Sequence, residues 1–471
     1  MFLALSATAL PHGEILLILA VVFGFYMAWN IGANDVANAM GTSVGSGALT
    51  ITKAVIIAGV MELAGAVLVG SHVTNTVRKG IFDPSLFEPM PLVLGFLAAL
   101  LAAAVWLQIA TWYGWPVSTT HSIVGAVVGI AVLIGGTEVV NWGKVLEIAA
   151  SWVTSPLCGG VIAFVLFRFI QAKIINHKRP LSQAYRYTPY LVFYIGFVLT
   201  LVMVYKGLKN LNLDLDFGQA AIVATIAGAV CAVVSLGWVR KMRRRHEIER
   251  AELGVELEDD HPEGVPFVRK SDPDMKPILR PPLAEGSSTP SKRWEYRREF
   301  EYARMEKIFA ALMVLSACFL AFAHGANDVA NAIGPVAAVV EIVQTGVIET
   351  KAVVPFWILL MGGVGIVVGL ATWGYKVMET IGKKITELTP SRGFAANIGA
   401  ATTIVVASRM GFPISTTHTL IGAVLGIGLA RGIDYLNLKV VRDIAISWII
   451  TIPAGGGLAM LFYLILKACF G

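Results

Sequence analysis

The chain has 471 residues, of which 56% are hydrophobic and 14% are charged, and its net charge is +6. Soluble proteins of ordinary composition are about 25% charged, so this composition, with a mean hydropathy of +0.71, excludes most soluble enzymes. The positive charge gives no support to nucleic-acid binding, because the basic residues are better explained by their position relative to a membrane.

Long apolar blocks follow one another along the chain. A helix needs roughly 20 apolar residues to cross the hydrocarbon core, so the blocks predict about ten to twelve transmembrane helices. The predicted fold class is therefore an all-α polytopic membrane protein, multi-pass in the plasma (inner) membrane. The clearest blocks are residues 15–29, 54–70, 92–112, 190–205, 218–239, 308–323, 352–373 and 443–466.

The polar stretch 240–307 interrupts this pattern. It begins with RKMRRRHEIER and continues through Pro- and Gly-containing sequence, which predicts a hydrophilic loop that is partly disordered in its middle. Its basic residues place it in the cytoplasm, and its far end, RWEYRREFEYARMEK, predicts a helix that leads into the next span. On either side we expect a first transmembrane repeat over 1–170, connecting transmembrane helices over 171–239, and a second, inverted repeat over 308–471.

Two motifs occur in both halves of the chain. GANDVANA is found at 32–39 and again, letter for letter, at 325–332. GWPVSTTHSIVGAVVG at 114–129 is matched by GFPISTTHTLIGAVLG at 411–426. By the count of apolar blocks, about seven spans separate the two copies, and an odd number places them in opposite orientations across the membrane. The sequence therefore predicts two inverted-topology repeats with broken or re-entrant helices at the midplane, an architecture typical of secondary transporters.

The first repeated motif places ionisable and amide side chains within apolar sequence. Carboxylate, amide and backbone carbonyl oxygens form a hard-oxygen set that suits a small cation such as sodium, and Gly32 would let carbonyls leave the helix. An intramembrane aspartate is by default a functional hypothesis, because its charge is costly there; hydrogen bonding between helices is the alternative. The predicted sodium ligands are Asn34, Asp35, Asn38, Asn327, Asp328 and Asn331.

The second repeated motif predicts an anion site. Pro116 and Pro413 favour helix starts, and the Ser-Thr-Thr that follows can cap a new helix. Helix N-termini bind anions through their free N–H groups and the helix dipole, so two such helices facing the midplane would hold an oxyanion. The predicted ligands are Ser118, Thr119, Thr120, Ser415, Thr416 and Thr417.

Three further residues are gating or proton-transfer candidates. His121 and His418 close the Ser-Thr-Thr-His motifs and could donate to an anion, relay protons or brace the helix. Glu62 lies within an apolar block, and the equivalent position of the second half is Ile366. An unpaired acid there could take a proton or line a gate, and a buried structural glutamate is the other interpretation.

The paired GANDVANA and P-[VI]-STTH motifs resemble those of the inorganic phosphate transporter family, over roughly residues 14–170 and 305–471. The resemblance implies sodium- or proton-coupled phosphate symport, a homodimer, phosphate at the Ser/Thr motifs, sodium ions at the Asp/Asn motifs, and a role for Glu62 in transport. It also implies that the anion could be sulfate, which a minority of the family carries. Some relatives have an acidic residue where this chain has Asn397, so the number of sodium ions or protons carried with each phosphate can differ from theirs.

Charge gives a further reason to expect symport. Two buried aspartates and a phosphate cannot share a dry site without compensation, and neither motif contains Arg or Lys. Mobile cations would supply the missing charge, and no enzymatic cofactor is expected. The competing functions are a channel, an intramembrane hydrolase with Ser118, His121 and Asp35 as its triad, and a phosphate sensor without transport.

Overall fold

The computed structural model describes residues 8–70, 81–206, 215–252, 290–348, 354–409 and 415–471. Apart from an isolated bridge between Phe82 and Val140, the regular structure of these residues is helical. Helices suit an apolar chain in a membrane because they satisfy every backbone polar group within one segment. The helices are α1 Gly13–Gly45, α2 Ile51–Val69, α3 Pro89–Trp112, α4 Thr119–Gly135, α5 Trp142–Ile170, α6 Pro180–Lys206, α7 Phe217–Glu252, α8 Pro290–Asp328, α9 Ala330–Thr345, α10 Phe356–Thr372, α11 Tyr375–Glu379, α12 Pro390–Arg409, α13 Thr416–Arg431 and α14 Leu438–Phe470.

Seven helical segments of the described chain are long and apolar enough to cross a membrane, and the bent pair Phe356–Thr372 and Tyr375–Lys384, with 57° between its parts, makes an eighth. This number is lower than the ten to twelve spans predicted, because some helices are too short or too polar to be counted. Among them are α4 and α13, with 17 and 16 residues, which cover only about 25 Å of a core about 30 Å thick. The all-α polytopic fold and its broken helices are confirmed, whereas the inverted orientation of the repeats stays a prediction.

Helices also form both ends of the polar stretch 240–307. Helix α7 continues to Glu252, and α8 begins at Pro290, which confirms the helix predicted to lead into the next span. Where the two helices meet, Arg304 Nε donates to Glu249 Oε2 at 2.8 Å. The predicted disordered middle lies outside the described residues.

The two halves of the chain pack on each other in matching pairs. Helix α1 packs on α10 and α8 on α2, while α4 packs on α14 and α13 on α5. In each pair one helix comes from the first half and its partner from the second. The core that results is shared, so neither half encloses the interior by itself.

Glycines allow the closest of these contacts. Gly32 lies on the backbone carbonyl of Ile366, and Gly325 lies on that of Glu62, each so near that a Cβ would overlap the carbonyl. The expectation that Gly32 opens the helix is wrong: α1 is continuous from Gly13 to Gly45, because an apolar surrounding offers its carbonyls no better partner. Only the second copy of the motif is broken, at Val329 between α8 and α9.

Candidate anion and cation site

The four motif copies meet inside the protein. GANDVANA lies in the second half of α1 in one copy and at the junction of α8 and α9 in the other. The two Ser-Thr-Thr sequences form the starts of α4 and α13. Ser118 and Ser415 are the N-caps, and their hydroxyls accept the backbone N–H groups of His121 and His418, each at 3.2 Å. This confirms the helix starts expected from the sequence at both sites; Pro413 lies outside the described residues.

Asp35 is bonded to the hydroxyl motif of the opposite half. Its Oδ1 accepts from Asn38 Nδ2 at 2.9 Å and from Thr417 Oγ1 at 3.1 Å, and Asn38 Nδ2 also donates to Thr417 Oγ1 at 2.8 Å. All three side chains are at least nine-tenths buried. The first Asp/Asn motif is therefore completed by the second Ser-Thr-Thr motif.

The second Asp/Asn motif is also bonded to hydroxyl groups, and its amide reaches across to the first half. Asn331 Nδ2 donates to Thr120 Oγ1 at 3.2 Å and approaches Thr119 Oγ1 at 3.5 Å. Asn327 Nδ2 donates to Asp328 Oδ1 at 2.9 Å, and Thr416 Oγ1 donates to Asp328 Oδ2 at 3.4 Å. Side chains of both halves thus line one interior site.

One histidine that the sequence argument passed over lies at the centre of this site. His324 Nε2 is 2.9 Å from Asp328 Oδ2 and 3.6 Å from Asp35 Oδ2, and His324 Nδ1 is 3.3 Å from Glu62 Oε1. All four side chains are at least 96% buried. One imidazole therefore links both motif aspartates to the glutamate predicted to matter for gating.

A signal for His324 was present in the sequence. It precedes Asp328 by four residues, so the two share a helix face, and it stands where the first half has Ile31. Glu62 stands where the second half has Ile366. Each half thus has an isoleucine where the other has an ionisable side chain, Ile31 opposite His324 and Ile366 opposite Glu62, and this difference is the main asymmetry of the site.

The charges of the cluster do not balance. Three ionised carboxylates against one imidazole leave two negative charges even when the imidazole is protonated. Buried charge of that size is prohibitive unless cations or protons compensate it. The ligand atoms of Asp35, His324 and Asp328 lie within 4.8 Å of one another, close enough for one small cation to contact several of them.

Asn34 makes different contacts from its equivalent in the second half. Its Nδ2 donates to Thr111 Oγ1 at 2.9 Å and to the Trp115 carbonyl at 3.0 Å, and its Oδ1 accepts from Val117 N at 3.2 Å. Asn34 thus holds the non-helical segment before α4, and its carboxamide oxygen is already used. Asn327 instead lines a cavity of about 30 Å³, together with Asn38, His324 and Thr416.

The two predicted proton-transfer histidines lie away from the carboxylates. The ring centroids of His121 and His418 are 4.9 Å apart, and His418 stacks on Trp448 at 3.7 Å. The triad of the hydrolase alternative is not assembled here, because the Ser118 hydroxyl caps α4 and Asp35 is bonded to Asn38 and Thr417.

An all-helical membrane protein that encloses oxygen ligands and two helix N-termini from both of its halves is a multi-pass transporter. The sequence profile of the Phosphate transporter family matches residues 31–459. The chain belongs to this family of transporters, which confirms the resemblance; it is a multi-pass protein of the plasma membrane and not an enzyme.

Two relatives show how far the similarity extends. The chain is 44% identical to the chloroplastic inorganic phosphate transporter 2-1 of Arabidopsis thaliana, over 98% of this chain and 73% of that protein. It is also similar to a solved structure described as the sodium-dependent phosphate transporter. That match has a TM-score of 0.78 and 37% identity, and covers 96% of this chain and 99% of the other.

Proposed function

We propose that the chain carries inorganic phosphate in symport with sodium, using one interior site built from both halves. The observation that carries the proposal is the crosswise pairing of Asp35 and Asn38 with Thr417, and of Asn331 with Thr120. Each cation motif thereby shares its ligands with the helix start that would hold the anion. The sodium dependence of a 37% identical solved relative supports the choice of ion.

The anion would bind between the starts of α4 and α13. The first N–H groups of a helix have no partner within that helix, and they carry the positive end of the helix dipole. The Ser118 and Ser415 hydroxyls each satisfy one of these groups, which leaves N–H groups and the neighbouring threonine hydroxyls for a phosphate. We assign this role to Ser118, Thr119, Thr120, Ser415, Thr416 and Thr417.

Sodium would bind at the oxygens that the protein leaves unsatisfied. Asp35 Oδ2 and Asn38 Oδ1 are buried and make no hydrogen bond within the described chain. A buried polar atom without a partner costs about 1–3 kcal/mol, and a hard cation coordinated by those oxygens removes that cost. We therefore assign sodium to Asp35 and Asn38 and, in the second half, to Asn327, Asp328 and Asn331, whereas Asn34 positions the segment before α4.

Coupling follows from the charges of this site. A phosphate approaching three carboxylates is repelled until cations have neutralised them, and it then meets the positive ends of the two helix dipoles. Phosphate without cations would add to the buried negative charge of the cluster, and its own charge requires cations beyond those that balance the carboxylates. We infer that two or more cations accompany each phosphate as the two halves expose the site to either face in turn, and we extend the proposal to the homodimer that the family resemblance implies.

Uptake of labelled phosphate into proteoliposomes tests the proposal, with an inward sodium gradient, a proton gradient or neither. The decisive variants are Asp35→Asn and Asp328→Asn. Asp443→Asn is the matched control, because Asp443 lies on the surface of α14 and pairs with Arg442. We expect sodium-driven uptake that both site variants abolish and the control retains; phosphate uptake at full rate without any gradient would remove symport.

Proton coupling is the second candidate, and the contact between His324 Nδ1 and Glu62 Oε1 at 3.3 Å favours it. In that case a proton gradient alone would drive uptake, and Glu62→Gln would abolish it. Sodium-driven uptake that survives in Glu62→Gln would exclude this route. If the proteoliposomes take up sulfate but not phosphate, sulfate is the substrate. If the protein binds phosphate but does not transport it, the protein is a phosphate sensor.

A further inference from the structure

Four aromatic rings follow one another in contact between the two halves of the chain. In order they are Trp152, His121, His418 and Trp448, and we call them the ring row. Successive ring centroids are 5.7, 4.9 and 3.7 Å apart. The two histidines belong to α4 and α13, and the two tryptophans to the long helices α5 and α14. The ring row therefore connects the two short helices α4 and α13 to each other and to the long helices α5 and α14.

The ring row lies on a different side of each short helix from Thr119 and Thr416. His121 follows Thr119 by two residues, and His418 follows Thr416 by two residues. Two residues correspond to about 200° around a helix. Those threonines face Asn331 and Asp328, so the histidines point the other way. Helices α4 and α13 contact each other through the two imidazoles, and beside them Thr417 Oγ1 donates to the Val117 carbonyl at 3.4 Å.

Trp448 fixes the same geometry from a second direction. It stacks on His418 of the second half, and its Nε1 donates to the Pro116 carbonyl of the first half at 3.0 Å. Pro116 lies two residues before the N-cap of α4. One side chain thus holds both helix starts, whose backbone N–H groups would contact the anion.

The choice of histidine has a cost that packing alone does not explain. Both ring nitrogens of His418 and Nδ1 of His121 are buried and make no hydrogen bond within the described residues, at about 1–3 kcal/mol for each unsatisfied group. Leucine would fill such a space without that cost. Imidazole is the smallest flat ring among the side chains, so it gives a spacer that is rigid and yet narrower than a benzene ring.

We propose that the ring row sets the width of the anion site and thereby selects oxyanions by size. The proposal rests on phosphate binding between the starts of α4 and α13, and it adds a determinant of specificity that touches no ligand. A wider row separates the helix starts and favours larger tetrahedral anions over phosphate. A row without the Trp448 bond lets the segment before α4 move and reduces the discrimination.

Competition binding to the purified full chain tests the ring row without requiring transport. Labelled phosphate is bound in sodium and displaced by arsenate, sulfate or methylphosphonate. His418→Phe widens the row, and Trp448→Phe keeps the ring but removes the bond to Pro116. Trp106→Phe is the matched control, since Trp106 Nε1 donates to Thr451 Oγ1 at 3.1 Å between α3 and α14, outside the ring row.

We expect the affinity of methylphosphonate relative to phosphate to rise in both row variants. In Trp448→Phe, which loses the bond to Pro116, the rise should be about fivefold, the factor that corresponds to one net hydrogen bond of about 1 kcal/mol. The control should keep the ratio of the unaltered protein. An unchanged ratio in both row variants, or an equal change in Trp106→Phe, overturns the proposal. If the unaltered protein binds sulfate and not phosphate, the proposed substrate falls, and the same ratio taken against sulfate still judges the ring row.

Discussion

Replacing Asn34 with alanine tests whether this residue holds the segment before α4 in place or binds a cation. The substitution removes three hydrogen bonds, to Thr111 Oγ1 at 2.9 Å, to the Trp115 carbonyl at 3.0 Å and from Val117 N at 3.2 Å. At about 1 kcal/mol of net stabilisation for each bond, the loss is about 3 kcal/mol of unfolding free energy. Because the sodium ligands are other residues, the sodium concentration for half-maximal uptake should not change in the active fraction.

Asn327→Ala is the matched comparison, because Asn327 holds the same place in the second motif. It lines the cavity and donates to Asp328 Oδ1 at 2.9 Å. We expect a smaller loss of stability, about 1 kcal/mol for one bond, and a clear rise in the sodium concentration needed for uptake. The assays are denaturant unfolding in detergent and sodium titration of uptake. Equal stability losses, or a sodium shift in Asn34→Ala alone, would refute the reasoning.

Two further substitutions test the packing that positions the site. Gly325→Ala places a Cβ against the Glu62 carbonyl, so α2 and α8 must separate. We expect a loss of more than about 2 kcal/mol together with loss of phosphate uptake. Gly457→Ala is the control: its Cβ meets no atom within 4 Å, so uptake should not change and stability should not fall, since alanine is the better helix former. Glu306→Gln weakens the cap of α12, where the carboxylate accepts from Ser391 N at 2.8 Å and from Ser391 Oγ at 2.7 Å. Thermal unfolding should show a loss of about 1–2 kcal/mol, and a melting temperature equal to that of the unaltered protein would contradict the capping role.

The parts of the site that depend on local sequence were predictable. A Ser-Thr-Thr after proline specifies a helix start because the serine hydroxyl can accept a backbone N–H, and Ser118 and Ser415 both do so. The presence of both motifs in one interior followed from their duplication, since symmetric copies tend to meet at the interface of the repeats.

The parts that depend on packing between the halves were not predictable from one sequence. Asn34 and Asn327 hold the same position in the two copies of the motif, but their surroundings differ. The Asn34 carboxamide bonds to the Thr111 hydroxyl and to the segment before α4, whereas the Asn327 carboxamide faces a cavity. His324 lies just outside the repeated motif, at a position where the two copies differ, so the duplication alone does not point to it. The comparison that sets Glu62 opposite Ile366, applied to every polar residue opposite an apolar one, also finds His324 opposite Ile31.

The exchange of partners between the two halves also bears on how such a protein can originate and be divided. Thr417 is needed beside Asp35, and Thr120 beside Asn331, so a single half on its own has aspartates and helix starts that lack their complements. A half-length protein of this design would work only as a pair of chains, whereas in a single fused chain each copy is free to change independently. A site with one glutamate and one histidine, Glu62 and His324, needs such a fused chain, because two identical chains would place each of these residues at both equivalent positions.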